Sequence, residues 1–271
     1  MTTDRDRWLV EPGHRPHLDR IDPASTDGAP GDKAGTSATF PALWDRSLEL
    51  QERLYAESKQ SLLVVLQAMD TGGKDGTVKH VFGGVNPLGV RVASFKQPTE
   101  VELAHDFLWR VHQAMAPRGH IGVFNRSHYE DVLIVRVHEL APEPVWRGRY
   151  EHIRNFEANL GAAGTRVVKV FLHISKDEQR KRLQARVDRP DKRWKFNLGD
   201  LEERQRWDDY QQAYEDAIAE TSTTNAPWYV VPADKKWYRN WAVLRILVET
   251  LEELDPQWPP PDDDLTGIVV E

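Results

Sequence analysis

Short runs of apolar and β-branched residues alternate along the chain with amphipathic segments. The runs predict five buried strands, at 62–66, 90–95, 121–124, 167–174 and 228–231. Apolar residues at helical spacing predict helices at 43–59, 77–85, 100–115, 150–160, 176–189, 200–219 and 237–254. Because parallel strands are joined by helical crossovers, this alternation predicts an α/β fold: a five-stranded parallel sheet between two layers of helices.

The first 40 residues lack this periodicity and are rich in Asp, Pro, Gly, Thr and Arg. We therefore predict an irregular N-terminal arm, residues 1–40, before a single domain at 41–271. Two alternatives stay open for the arm: a disordered tail, or a segment that packs on its own domain or on a neighbouring subunit.

The loop after the first predicted strand, Gln67–Thr77, has the features of a phosphate-binding site. Its glycines let successive N–H groups face an anion, the following helix adds partial positive charge, and Lys74 adds a full charge. The match to the P-loop pattern is partial, since Ala68 replaces the first glycine and Asp75 replaces the Ser or Thr that usually binds magnesium. Asp70 is therefore the expected metal partner. The alternative is a glycine-rich turn with a surface lysine.

The loop after the third predicted strand is rich in charged and amide side chains. Asn125, Arg126, Glu130 and Asp131 all follow the strand end, where ligands bind in parallel sheets. An arginine there can offset the negative charge that develops during phosphoryl transfer. The alternative is a polar turn with a local Arg–Asp ion pair, and we expect His128 to be structural.

A basic segment, predicted as a lid at about 180–200, lies between the fourth strand and the next long helix. Arg182, Arg186 and Arg189 recur at helical spacing before Pro190 breaks the helix. In an acidic protein, this concentration of cations creates a local field that attracts anions. A solvated helix face is the alternative for any one of these residues.

Composition narrows the class of protein further. The 271 residues include 36 Lys and Arg against 43 Asp and Glu, for a net charge of −7, and no cysteine. General nucleic-acid binding, disulfide scaffolds and thiol nucleophiles are therefore not expected. No apolar run approaches the ~20 residues of a membrane span, and the N-terminus lacks a secretory signal, so we expect a cytoplasmic protein with no membrane partner.

Several motifs together resemble the polyphosphate kinase 2 family, over about Leu43–Leu254. They are Met69-Asp-Thr-Gly-Gly-Lys-Asp-Gly-Thr77, Gly84-Val-Asn-Pro87, Phe95-Lys96, Phe124-Asn-Arg-Ser-His-Tyr-Glu-Asp131 and Arg193-Trp-Lys-Phe196. The resemblance implies a P-loop kinase-like fold and magnesium-dependent phosphate transfer between polyphosphate and nucleotides, with Mn²⁺ as an alternative ion. It also implies a homo-oligomer, a dimer or a tetramer.

The resemblance implies roles for individual residues. Asp70 and Lys74 would be the catalytic pair of the first loop, and Arg126 would contact the transferring phosphate. The rest of the anion cradle would be Gly72, Gly73, Asp75, Gly76 and Thr77. Family members with Asp-Arg-Ser-Trp-Tyr-Asn-Arg after the third strand differ from this chain, which is similar to the single-domain subgroup that acts on AMP and ADP. Asn125, Glu130 and Asp131 would then bind the nucleotide, and Asp131 is also a candidate metal ligand with Asp70.

Polyphosphate carries about one negative charge per phosphate and no base, so its site needs a basic track and little apolar surface. The expected track is Arg182, Arg186, Arg189, Lys192, Arg193 and Lys195, with Lys96 and Arg136 as further contacts.

The expected function is therefore reversible, polyphosphate-dependent phosphorylation of AMP to ADP and of ADP to ATP, with guanine nucleotides left open. Two alternatives remain at this stage: an ATP-dependent nucleoside monophosphate kinase, and a non-catalytic polyphosphate- or nucleotide-binding protein.

Overall fold

The computed structural model describes residues 3–270, and these form a mixed six-stranded sheet flanked by helices. The strands are Leu9–Val10 (β1), Ser61–Ala68 (β2), Val90–Ser94 (β3), Ile121–Asn125 (β4), Thr165–His173 (β5) and Trp228–Pro232 (β6). The α-helices are Lys33–Ala38 (α1), Phe40–Glu57 (α2), Lys74–Val81 (α3), Glu100–Leu103 (α4), Trp109–Ala114 (α5), Ile134–Val137 (α6), Glu143–Ala162 (α7), Lys176–Asp188 (α8), Gly199–Gln205 (α9), Trp207–Thr221 (α10) and Lys236–Leu254 (α11).

The strand order is β1-β6-β5-β2-β4-β3. Strands β2 to β6, at the five places predicted, pair in parallel, whereas β1 pairs antiparallel with β6 through Leu9–Tyr229 and Val10–Trp228. The prediction of a five-stranded, purely parallel sheet was therefore wrong by one edge strand. A strand of two residues has no periodicity that a sequence pattern could reveal.

Helices pack against the sheet in two groups. Along β5, Lys169 bonds Glu157 of α7 and Phe171 stacks on Tyr214 of α10, so these alternate side chains face one group. The residues between them, such as Val170, are fully buried on the other face, where α11 packs with α1, α2 and α3. The core thus lies on both faces of a sheet whose carboxyl edge stays open.

Two predicted helices are broken in the structure. The helix predicted at 100–115 divides into α4 and α5, because Asp106 turns the chain by accepting a bond from Leu108 N at 2.9 Å. The helix predicted at 200–219 divides into α9 and α10 at Arg206. Helix α7 begins at Glu143, seven residues before the predicted start at Tyr150.

The described residues of the N-terminal arm pack on the domain. Besides β1, the arm contains short 3-10 helices at Asp4–Trp8 and Leu18–Arg20. Trp8 and Leu18 are buried in the core, and Arg5 Nη1 donates to Thr250 Oγ1 of α11 at 2.8 Å. The arm is therefore ordered by contacts distant in sequence, which its composition does not reveal.

None of the helices in the part of the chain that the structure describes has the length and apolar character needed to cross a membrane.

Candidate phosphate-transfer site

A polar cavity of about 1010 Å³ opens at the carboxyl edge of the sheet. Its floor is the loop after β2 together with the first turn of α3, residues 70–76. One wall comes from Ser94, Phe95 and Lys96 after β3 and from Asn125 and Arg126 at the end of β4. The facing wall comes from α8, the segment that follows it, and the start of α11. The two loops and the lid singled out in the sequence therefore surround one cavity.

Backbone geometry in the floor requires glycine at two positions. A Cβ on Gly72 would lie 2.4 Å from the Ala68 Cβ and 2.8 Å from the Met69 carbonyl oxygen. Gly73 has φ +104°, a left-handed conformation, and is the residue before α3 begins at Lys74. The loop thus turns sharply and aims the N-terminus of α3, with its unpaired N–H groups, at the cavity.

The Lys74 side chain is drawn into the loop. Lys74 is only 9% exposed, and its Nζ donates to the Ala68 carbonyl oxygen at 2.9 Å. Burial first, and then repulsion from Arg126, lowers the pKa of Lys74 to about 8. Lys74 is thus a partly desolvated cation at the base of the cavity.

Arg126 links the two loops. Its Nη2 donates to Asp70 Oδ1 at 2.9 Å, and its Nη1 lies 3.6 Å from Glu130 Oε2. Attraction to Glu130 is the main cause that raises the pKa of Arg126, so this guanidinium stays charged. Arg126 has φ +62°, a left-handed conformation that costs energy for a residue with a side chain. Its N–H donates to the Leu66 carbonyl at 3.1 Å, which holds this strained residue beside β2.

A buried polar network anchors the segment after Arg126. His128 Nε2 lies 3.3 Å from Glu157 Oε1, and Tyr129 donates its hydroxyl to the same oxygen at 2.9 Å. Lys169 of β5 in turn donates to Glu157 at 2.5 Å. His128 is fully buried and does not line the cavity, as expected for a structural residue.

Asp75 connects the floor to both walls. It accepts bonds from Asn125 Nδ2 and from Lys195 Nζ, each at 2.9 Å. The bond from Lys195 is the main cause that lowers the pKa of Asp75. The lid segment therefore touches the glycine loop directly.

The cations of the predicted polyphosphate track divide into two sets. Lys96, Arg186, Arg189, Lys192 and Lys195 line the cavity. Arg182 also reaches it, but four backbone carbonyls accept bonds from its guanidinium, those of Thr71 and Gly72 at 3.1 Å, of Ala233 at 2.7 Å and of Asp234 at 3.0 Å. Arg182 therefore shapes the glycine loop.

Arg136 and Arg193 do not reach the cavity. Arg136 Nη1 pairs with Asp216 Oδ2 of α10 at 2.6 Å, and its guanidinium lies over the Trp146 ring. Arg193 Nε donates to the Val187 carbonyl at 2.9 Å, within the lid itself. The expectation that these two cations continue the track does not fit this arrangement, because their partners lie elsewhere.

Three other expected site residues lie behind the cavity surface. Asp131 accepts a bond from Arg149 Nη1 at 3.1 Å, and burial, the main cause, raises the pKa of its carboxyl. Glu130 faces Arg126, and Thr77 Oγ1 donates to the Gly73 carbonyl at 3.2 Å. Asp131 is thus paired with Arg149 and does not line the cavity with Asp70.

Among the cavity residues that the sequence analysis did not name are two cations far along the chain. Lys236 and Arg239, in the first turn of α11, line the cavity about 160 residues after the glycine loop. The sequence signal that could have revealed them is the first turn of this helix, which contains cations and no acidic residue. Helix N-termini usually favour acidic residues, because the helix dipole is positive there.

The carboxylates near the cavity decide whether the protein could hold a divalent cation. Among residues 3–270, no three His, Cys, Asp or Glu side chains converge as a metal cage. Magnesium in kinases, however, is commonly held by one or two carboxylates together with substrate phosphates and water. Asp70, partly exposed on the cavity floor, fits that arrangement.

The parallel strands of this sheet carry a glycine loop, a helix N-terminus, a lysine and an arginine to one cavity, and this arrangement defines a protein of the phosphate-transferring α/β class. Comparison with known proteins places it more closely. The sequence model of the family "Polyphosphate kinase 2 (PPK2)" matches residues 32–259, and the chain belongs to the polyphosphate kinase 2 family.

Two curated relatives are similar over most of their length. The AMP/ADP-polyphosphate phosphotransferase of Meiothermus ruber is 58% identical over 98% of this chain and 99% of its own. The ADP-polyphosphate phosphotransferase of Rhodopseudomonas palustris is 52% identical over 79% of this chain and 78% of its own. The crystal structure of polyphosphate kinase 2 from Arthrobacter aurescens superposes with a TM-score of 0.94 at 48% identity, over 97% of this chain and 94% of that one.

Proposed function

We propose that this protein transfers phosphate from inorganic polyphosphate to AMP, forming ADP, and to ADP, forming ATP, in reversible reactions. The observation that carries the proposal is the cavity, where Asp70, Lys74 and Arg126 meet a wall of cations. The near full-length similarity to a relative named for AMP and ADP supports both acceptors.

The chemistry is displacement at the terminal phosphorus of the polyphosphate. An oxygen of the nucleotide's last phosphate forms a bond to that phosphorus, and the bond to the bridging oxygen breaks. Polyphosphate leaves shorter by one phosphate, and the nucleotide is longer by one. Such a reaction needs positioning and charge neutralisation more than a strong base.

We assign the floor of the cavity to the transferring phosphate. The N–H groups of Gly73 to Gly76 and the Lys74 ammonium would bind its oxygens, since the Gly72 N–H already donates to the Met69 carbonyl at 2.9 Å. Lys74 Nζ bonds the Ala68 carbonyl oxygen at 2.9 Å. A phosphate that enters the cavity would be a stronger partner for this desolvated cation, because the phosphate is charged and the carbonyl is not. Arg126 would bind the same phosphate and offset charge that develops on it.

Magnesium is the metal we propose, with Mn²⁺ as an alternative. Asp70 would hold it together with phosphate oxygens, and the ion would supply further neutralisation of those oxygens. Since Asp131 pairs with Arg149, we propose that Asp131 and Glu130 instead support the loop that carries Arg126.

The acceptor nucleotide is assigned to the wall with Phe95, Lys96 and Asn125, so Lys96, first expected in the polyphosphate track, is assigned to the acceptor instead. This wall supplies apolar surface as well as polar groups, and the facing wall supplies mainly cations. Polyphosphate, which has no base, is assigned to the facing wall, with Arg186, Arg189, Lys192 and Lys195 as its contacts.

A donor-swap assay tests the proposal. Purified protein is incubated with AMP and magnesium, and with either long-chain polyphosphate or ATP as donor. We expect ADP and then ATP with polyphosphate and little product with ATP. Transfer from ATP alone would favour a nucleoside monophosphate kinase, and binding without transfer from either donor would favour a passive binding protein.

A further inference from the structure

Arg239 is a buried cation without an acidic partner. The residue is 2% exposed, and its Nε and Nη2 donate only to Asn240 Oδ1, at 3.1 and 2.7 Å. No acidic side chain within residues 3–270 forms an ion pair with it. Because an unpaired buried charge is costly, a position of this kind calls for a partner that arrives from outside.

The Arg239 guanidinium lies directly against the glycine loop. A Cβ on Gly73 would be 1.9 Å from Arg239 Nη1, and a Cβ on Gly76 would be 3.2 Å from Arg239 Nη2. Both glycines and Arg239 line the same cavity. Glycine at position 73 thus leaves room for the guanidinium at the point where the loop amides face the cavity.

The surroundings of Arg239 are uniformly unfavourable to a cation. Lys235 precedes α11, and Lys236 and Arg239 lie in its first turn, which contains no acid to balance the helix dipole. Burial first, and then Arg182, lowers the pKa of Arg239 to about 10. Arg239 therefore remains charged at neutral pH in a site that a bound anion would relieve.

We propose that Arg239, together with Lys236, forms a subsite that binds phosphates of the polyphosphate chain beside the glycine loop. This inference rests on the proposed function. The wall to which Arg239 belongs indicates the donor and not the acceptor, because its cations outnumber its two acidic residues, Glu178 and Asp200. Besides Arg182, whose guanidinium is already bonded to backbone carbonyls, the cations are Lys181, Arg186, Arg189, Lys192, Lys195, Lys236 and Arg239. A polyanion can contact several of these cations at once, whereas AMP has a single phosphate.

Arg239→Met, made in the full-length chain, tests this subsite. Binding of long-chain polyphosphate and of AMP is measured separately by calorimetry, KM is measured for each substrate, and thermal midpoints are recorded without ligand. We expect polyphosphate affinity to fall at least tenfold, AMP binding to stay within about twofold, and the ligand-free midpoint not to fall, since the variant removes an uncompensated charge.

Arg180→Met is the matched control. Arg180 belongs to α8 and to the same basic segment, but its side chain is 67% exposed and does not line the cavity. We expect this variant to bind polyphosphate as the wild type does. If Arg239→Met does not fold, Arg239→Gln, which keeps amide donors and removes the charge, carries the same expectation.

Three results would overturn the inference: unchanged polyphosphate affinity in Arg239→Met, a loss confined to AMP, or an equal loss for both substrates with a lowered midpoint. The last would make Arg239 a structural residue. If the wild-type protein transfers phosphate and Arg239→Met binds polyphosphate equally well, only the subsite is refuted. Wild-type protein that neither binds nor consumes polyphosphate would refute the proposed function itself.

Discussion

Lys74→Met is expected to stabilise the ligand-free protein while it abolishes transfer. The pKa of Lys74 is lowered from 10.5 to about 8, chiefly by burial. A shift of this size corresponds to a cost of about 3 kcal/mol for keeping the ammonium charged in the folded state. The variant loses the bond from Nζ to the Ala68 carbonyl, but Tyr214 also donates to that oxygen, at 3.0 Å. Subtracting about 1 kcal/mol for the lost bond leaves a net gain of about 2 kcal/mol at pH 7.

The pH dependence follows from the sign of the shift. Between pH 8 and about 10.5 the unfolded chain keeps a proton on Lys74 that the folded chain releases, so wild-type stability rises with pH across this window. Below pH 8 both states are protonated and the full cost remains. The advantage of Lys74→Met should therefore be largest near pH 7 and absent above pH 10.

Urea unfolding of both proteins at pH 7, 8.5 and 10 measures this difference. Lys59→Met, at a lysine that is 79% exposed outside the cavity, is the control and should follow the wild type at each pH. A Lys74→Met variant that is less stable than wild type at pH 7, with a parallel pH profile, would refute the view of Lys74 as a desolvated cation awaiting phosphate.

Other substitutions separate the roles proposed for the cavity. Asp70→Asn should abolish turnover and largely spare polyphosphate binding, as measured by calorimetry beside a product assay, because the carboxylate serves transfer more than affinity. Arg186→Ala and Lys192→Ala should raise the KM for polyphosphate more than that for AMP, whereas Arg136→Ala, whose charge pairs with Asp216 outside the cavity, should leave both KM values unchanged. Arg182→Met should lower the free energy of unfolding by about 3 kcal/mol and raise both KM values, since two carbonyls of the glycine loop and two after β6 lose their donor.

Each of these expectations has a contrary outcome. Full activity in Asp70→Asn would remove that carboxylate from the mechanism. An effect of Arg186→Ala confined to AMP would assign the basic wall to the nucleotide. Loss of polyphosphate binding in Arg136→Ala would restore Arg136 to the track, and an Arg182→Met protein as stable as wild type would contradict its role in shaping the loop.

Local patterns along the chain predicted most of the fold. Buried strands and amphipathic helices carry their own periodicity, so the five parallel strands lie where apolar runs occur. The two-residue strand at Leu9–Val10 could not be seen in this way, since its partner Trp228–Tyr229 lies more than 200 residues later. The break near Asp106 was hidden because residues on either side continue a helical apolar spacing.

The candidate site shows the same limit at the level of side chains. Lys74 and Arg126 follow strand ends, and parallel topology brings those ends together. A charge count along the lid, in contrast, cannot tell Lys192, which lines the cavity, from Arg193, which bonds the Val187 carbonyl and does not line it. Arg136 was expected in the polyphosphate track because its partner Asp216, 80 residues away, cannot be recognised from the sequence nearby. Arg239 was missed because no neighbouring residue indicates that it lies against the glycine loop.

The most direct measurement of the central claim is phosphorus NMR of a single reaction mixture with AMP, magnesium and polyphosphate of defined length. We predict that polyphosphate loses one phosphate for each ADP and two for each ATP present at the end, with no release of inorganic phosphate. Product formation without chain shortening, or chain shortening that yields only inorganic phosphate, would contradict direct transfer between the two substrates in this cavity.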